Sequence, residues 1–145
     1  MAGELILIVE DNEKNRKLER DILQFHGYRT AEADNGEDGV ALAQATPPAL
    51  ILMDIQLPRM SGIDALRILR SDARTRTIPV VAVTASAMTQ DRQKIMAAGF
   101  DGYQAKPIDI TQFVAAVREI LARPPVGGSA APWARRPASW SSTTR

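Results

Sequence analysis

Short apolar runs, each followed by a helix-length segment, constrain this chain most. Leu5-Ile6-Leu7-Ile8-Val9 and Leu50-Ile51-Leu52-Met53 are strand-length and uninterrupted, and Pro79–Val83 continues the pattern. A strand without polar alternation is one covered on both faces, as in a parallel sheet flanked by helices. The intervening segments supply the helices. Asn12 to about His26 reads as a helix with Leu18, Ile22 and Phe25 on one face and Gly27 just past its end. Tyr28–Ala33 reads as a strand, and Asn35–Ala45 as a helix stopped by Pro47-Pro48. A third helix runs from Ser61 or Gly62 to Ser71, with Ile63, Leu66 and Leu69 inward. Thr89–Ala98 is a fourth, closed by Gly99. Gly102–Ala105 is a fifth strand. Asp109 caps a fifth helix, Ile110–Ala122, with Phe113, Val117 and Ile120 inward. Five strand–helix units predict an α/β protein: a doubly wound parallel sheet in three α/β/α layers. The order 2-1-3-4-5 suits five strands, whereas a closed barrel needs more chain.

Composition narrows the chemistry. A chain of 145 residues suits one core. It has no cysteine, which excludes disulfides and thiolate metal sites, and one histidine, His26, which excludes a histidine-rich metal site. His26, at a helix end, is expected to cap or face solvent. No apolar stretch approaches the roughly 20 residues that span a bilayer. The first residues reach Glu4 without a basic region, so a cytoplasmic protein is expected. All 17 acids and 15 of the 18 cations precede Pro124, leaving −2 on residues 1–123 and +3 beyond. The body is therefore no basic nucleic-acid binder. Residues 124–145 contain four of the nine prolines, both tryptophans and no acid. They read as a disordered tail, with a partner-docking segment bearing Trp133 and Trp140 as the alternative.

In an open α/β sheet, ligands bind beyond the carboxyl ends of the strands, at the switch point between strands one and three. Glu10, Asp11 and Asp54 fall there. Three converging carboxylates repel one another unless a positive charge lies among them. A hard divalent ion meets that need: Mg²⁺, with Mn²⁺ as its substitute. Singly, Asp11 reads equally well as a helix N-cap and Glu10 as a solvated loop acid. Asp54 is harder to dismiss, because an unpaired acid at the end of a central apolar strand is costly. Thr84 ends strand four and Lys106 follows strand five on the same rim. A hydroxyl and an ammonium there can bind phosphoryl oxygens, although each alone is an ordinary strand or surface residue.

The set Ile8-Val9-Glu10-Asp11-Asn12, Leu52-Met53-Asp54, Pro58-Arg59-Met60-Ser61-Gly62, Val83-Thr84-Ala85 and Lys106-Pro107 resembles the response-regulator receiver domain of two-component signalling. The resemblance covers residues 4–123 and implies a flavodoxin-like fold, with residues 1–123 as the receiver. It implies that Asp54 accepts a phosphoryl group from a phosphohistidine of a histidine kinase or phosphotransferase. It further implies that Asp11, Asp54 and the Gln56 backbone carbonyl hold Mg²⁺, with Glu10 acting through water. Lys106 would pair with Asp54 and then with the phosphoryl group, and Thr84 would hydrogen-bond a phosphoryl oxygen. Thr84 and Tyr103 would be the switch pair, although Tyr103 also reads as an ordinary rim aromatic. Lys106-Pro107 is a cis-peptide candidate. By the same resemblance, Gln56 and Ser86 would stand at the positions that tune phosphoryl lifetime in the family. The Glu10-Asp11 pair departs from the Asp-Asp of many receivers, although the longer Glu can still hold a metal-bound water. Further similarity is to single-domain cell-division regulators and hybrid-kinase receivers.

By the same resemblance the kinase would dock near helix one, whose outer face offers Arg16, Lys17 and Arg20. Output would be protein–protein, through helix four, strand five and helix five, around Asp91–Lys94, Tyr103 and Arg118. The expected partners exclude nucleic acid and membrane, and the expected state is a monomer or weak dimer. The chain would be no enzyme beyond its own phosphorylation and dephosphorylation. Two other readings stay open: a phosphorylation-independent binding module of this fold, and a metal-dependent phosphatase with Asp54 as nucleophile. There is no P-loop, and Gly36 and Gly39 form no dinucleotide fingerprint. Asp11–Arg16 is no EF-hand, because Arg16 stands at the turn glycine. Ile55-Gln56 after Asp54 breaks the Asp-x-Asp of haloacid-dehalogenase-like phosphatases. No segment after residue 123 has helix-turn-helix patterning.

Overall fold

A computed structural model describes residues 3–85 and 89–122. Five strands alternate with five helices: β1 (Leu5–Val9), α1 (Glu13–Phe25), β2 (Arg29–Ala33), α2 (Gly36–Ala45), β3 (Leu50–Asp54), α3 (Gly62–Ser71), β4 (Val80–Thr84), α4 (Thr89–Ala98), β5 (Gly102–Ala105) and α5 (Ile110–Leu121). All pairings are parallel and the order is β2-β1-β3-β4-β5, as the strand pattern predicts. Every residue of β3 and β4 is buried, which is why neither alternates polar and apolar positions.

Side chains alternate across the sheet and divide the core in two. On one face Leu7, Val9, Ile51, Met53, Val80 and Ala82 meet α2, α3 and α4 through residues such as Val40, Leu66, Leu69 and Ile95. On the other, Ile6, Ile8, Leu50, Leu52, Val81 and Val83 meet α1 and α5 through Ile22, Leu23, Phe113 and Val117. Each fully buried Leu, Ile or Phe here contributes roughly 1.5–3 kcal/mol. The inward residues expected of α5, Phe113, Val117 and Ile120, are buried. Leu66 and Leu69 of α3 are fully buried, with Ile63 packed at the margin.

Helix starts follow their caps. Asn12, Asn35, Ser61 and Asp109 each accept a backbone N–H three residues on. The cap of α1 is thus Asn12, which removes capping as an account of Asp11. Gly27, at φ +92°, follows the C-cap His26 in the left-handed conformation that ends α1. β2 begins at Arg29, one residue later than the pattern predicts.

The inward face of α1 differs from expectation. Phe25 and Leu18, both expected inward, are exposed, at 85% and 39%, whereas Glu19, Ile22 and Leu23 are buried. The true stripe follows the 19, 22, 23 spacing. Placing Leu18 and Phe25 inward rotates the helix by about one residue, or 100°. No helix among the described residues is long and apolar enough to cross a membrane.

Candidate functional site

The sheet delivers its polar residues to one edge. Glu10 directly follows β1, Asp54 and Thr84 close β3 and β4, and Lys106 directly follows β5. Register places them side by side: Val9 pairs with Met53, Asp54 with Val83, and Thr84 with Ala105. The Glu10 N–H donates to Ala33 C=O at 3.0 Å, and the Lys106 N–H to Thr84 C=O at 2.8 Å. Backbone bonds of the sheet therefore continue into the site and hold both residues. The Lys106-Pro107 bond is cis, as expected.

The loop after β3 is shaped by close approach. A Cβ on Gly62 would fall inside van der Waals contact of the Asp54 carbonyl oxygen and 2.9 Å from Ile55 Cα. Only glycine lets α3 begin this close to Asp54. The Gln56 N–H donates to Asp54 Oδ1 at 3.0 Å, turning the chain back over the carboxylate. Arg59, at φ +65°, reaches α2 through Glu37 at 3.3 Å.

Glu10 and Asp54 are buried, while Asp11 is exposed. The Lys106 ammonium lies 2.9 Å from Glu10 Oε1 and donates to Asp54 Oδ2 at 3.2 Å. Glu10 Oε2 accepts the Asn12 N–H at 3.1 Å. Glu10 Oε1 is charge-paired with Lys106 but lacks an aligned hydrogen bond. Burial pushes the Glu10 carboxyl up to about 7; Lys106 opposes this, and Asp54 adds to it. Burial also works against the charge on Lys106, but Glu10 and Asp54 outweigh it and raise the ammonium above its usual value. Carboxylate oxygens of Glu10, Asp11 and Asp54 all lie within 4.8 Å of one another. This compact set of hard oxygen donors, one of them buried without a hydrogen bond, fits a divalent cation of the Mg²⁺ type.

Thr84 is buried beside this group. Tyr103 on β5 packs partly buried against the α2–α4 side of the core, with the Arg92 guanidinium 5.4 Å from its ring centre. Ser86, the side chain of Asp91 and the tail with Trp133 and Trp140 lie outside the described residues.

Helix one departs from the outward cationic face expected of it. Arg16 donates to Glu10 C=O at 2.9 Å and pairs with Glu32 at 3.3 Å, and Arg20 reaches Glu32 at 3.0 Å. Both turn toward β2, drawn by the one acid on that strand. Lys17 points outward and pairs with Asp21 at 2.7 Å. His26 ends α1, as expected, with Arg118 Nη2 3.4 Å from its Nδ1.

Sequence reasoning missed Glu19. This α1 residue is 1% exposed, and its Oε2 has no hydrogen-bond partner. Burial, then the charge of Glu10, pushes its carboxyl up to about 8. Its spacing with Ile22 and Leu23 was the available signal.

Comparison with known proteins agrees with this geometry. The family model described as the response regulator receiver domain matches residues 6–118. The chain is 44% identical over 116 residues to the polar-differentiation response regulator DivK of Brucella anthropi, covering 80% of this chain and 94% of that protein. It resembles the receiver domain of a Pseudomonas aeruginosa sensor histidine kinase, solved with a magnesium ion coordinated in the active site cleft. The TM-score is 0.78 at 33% identity, covering 84% of this chain and all of that one. A response regulator structure from Chloroflexus aurantiacus gives a TM-score of 0.80 at 27% identity, covering 83% and 99%. With the matched model spanning most of the chain and the acidic pocket standing at the carboxyl edge of a 2-1-3-4-5 sheet, this chain belongs to the response regulator receiver domain family.

Proposed function

We propose that the chain is a response-regulator receiver that takes a phosphoryl group on Asp54 from the phosphohistidine of a histidine kinase or phosphotransferase. The observation that carries this reading is the Lys106 ammonium placed between Glu10 and Asp54, with Asp11 beside them. Asp11, Asp54 and the Gln56 carbonyl would hold Mg²⁺, with Glu10 acting through a bound water. When bound, the ion neutralises charge on the entering phosphoryl oxygens.

The chain's own residues do the rest. An Asp54 carboxylate oxygen attacks phosphorus and forms a P–O bond. The P–N bond of the donor breaks, and its electron pair stays on the imidazole nitrogen, which takes a proton from solvent. Asp54 thereby becomes an acyl phosphate. Lys106 already faces Asp54 Oδ2, and it moves its charge from the carboxylate to the phosphoryl group. Thr84, at the end of β4, supplies a hydroxyl to a phosphoryl oxygen. Tyr103 follows Thr84 inward, and the α4–β5–α5 face changes with it. Phosphorylation drives that change only through contacts that the inward state makes and the outward state lacks. Gln56 and Ser86 set how long the phosphoryl group survives. Residues 1–123 form the receiver, which works in the cytoplasm.

The direct test is Asp54→Asn. The variant is expected to take no hydroxylamine-sensitive label from a phosphorylated kinase. Equal label on another residue would remove Asp54 from the mechanism.

A further inference from the structure

The two acids that follow β1 are held in different ways. Glu10 is buried, and its Oε2 accepts the Asn12 N–H. Asp11 is exposed, so the backbone that carries it sets where its carboxylate stands. The peptide unit joining Glu10 to Asp11 is a rigid plane, and fixing its carbonyl fixes the direction in which Asp11 leaves it. That carbonyl accepts from Arg16 Nη1 at 2.9 Å. On the other side of Glu10, the N–H donates to Ala33 C=O at 3.0 Å. The sheet thus anchors one side of Glu10, and a guanidinium on α1 anchors the other.

Arg16 is itself held. Its Nε lies 3.3 Å from Glu32 Oε1 on β2. Arg20, one turn further along α1, donates through Nη1 to both Glu32 oxygens, at 3.2 and 3.0 Å. Two arginines therefore hold this carboxylate. The side chains of Arg16 and Glu32 are 21% and 25% exposed, so the pair is largely shielded from water. A guanidinium carries its donors in one plane, and a carboxylate paired at Nε fixes the plane in which the other donors point. Here they point at the Glu10 carbonyl. A lysine, a point charge on a flexible stem, has no such fork.

The placement runs against simple charge. A cation beside a cation site repels the incoming ion. Arg16 stands one peptide unit from Asp11, and Glu32 offsets its charge there. What Arg16 then adds is alignment.

We propose that Arg16, buttressed by Glu32, is a positioning residue for the divalent ion: it aims the Glu10–Asp11 peptide so that Asp11 meets the ion beside Asp54. Arg16 acts through the backbone, and Glu32 acts through Arg16. This rests on the reading of Glu10, Asp11 and Asp54 as the Mg²⁺ site.

The experiment titrates the full chain with Mn²⁺ alone, without a phosphodonor, and reads the free ion by electron paramagnetic resonance. The parent should bind Mn²⁺, and Asp11→Asn should bind it far more weakly. Arg16→Ala is expected to weaken binding about tenfold, although it removes a positive charge beside the site. Arg16→Lys keeps the charge without the fork and should fall between the two. Glu32→Gln should weaken binding in the parent and add nothing further in Arg16→Ala. A purely structural role would lower the urea midpoint and leave the affinity of the folded chain unchanged. A purely electrostatic role would tighten binding in Arg16→Ala. Either result, with the parent binding Mn²⁺, would overturn this proposal alone, as would a full effect of Glu32→Gln in the absence of Arg16. A parent that binds no Mn²⁺, or binds it no better than Asp11→Asn, would remove the metal site itself and the proposal with it.

Discussion

Lys106 Nζ stands 2.9 Å from Glu10 Oε1, closer than its 3.2 Å to Asp54 Oδ2. The lysine therefore balances the whole acidic pocket, and the first acid is part of its charge accounting. Removing it leaves buried carboxylates facing one another without a cation. Lys106→Met is expected to destabilise the protein by about 1–3 kcal/mol at pH 7 in urea titration, the pair being partly solvated. Added Mg²⁺ should recover more stability in this variant than in the parent. An unchanged urea midpoint would show that the pocket needs no internal cation.

Glu19 sets a pH dependence of its own. Its carboxyl is raised from 4.5 to about 8, so the folded chain holds a proton that the unfolded chain releases. Stability should thus fall as pH rises from about 4.5 to 8 and level off above that. The total cost is on the order of a few kcal/mol. Glu10, raised to about 7, acts in the same direction over a narrower window. Glu19→Leu is expected to raise stability at pH 8.5 and to flatten the profile. Parallel profiles for parent and variant would contradict a buried neutral acid at this position.

Gly62→Ala tests the approach of α3 to Asp54. The added methyl would meet backbone atoms of Asp54 and Ile55, which cannot rotate away as a side chain could. A loss of about 2–4 kcal/mol is expected, with slower labelling of Asp54 by a small phosphodonor. Thermal unfolding within a degree of the parent would mean the loop yields freely.

Arg16 and Lys17 separate structure from docking. Arg16→Ala frees the Glu10 carbonyl from the guanidinium, so labelling by both kinase and small phosphodonor should fall. Lys17, outward on α1, should affect only the kinase reaction. Equal loss in both reactions for Lys17→Ala would argue against docking at this helix.

The architecture was legible because its signals are local. Leu5–Val9 and Leu50–Asp54 announce buried strands by lacking alternation, and Asn35, Ser61 and Asp109 mark helix starts by their side-chain oxygens. The pocket was legible for a related reason: a parallel sheet brings strand ends together, so chemistry at successive strand ends converges. What escaped depends on tertiary partners. Glu19 reads as a surface acid until α1 is set on the sheet. Arg16 and Arg20 read as outward cations until Glu32 of β2 lies within reach. The closer pairing of Lys106 with Glu10 than with Asp54 is likewise a matter of depth, which spacing along the chain does not encode.

Intact mass after incubation with acetyl phosphate tests the central claim most directly, with and without Mg²⁺, on the parent and on Asp54→Asn. The account predicts a gain of one phosphate in the parent with Mg²⁺, and none without the ion or in the variant. A gain that survives Asp54→Asn, or that needs no divalent ion, would contradict it.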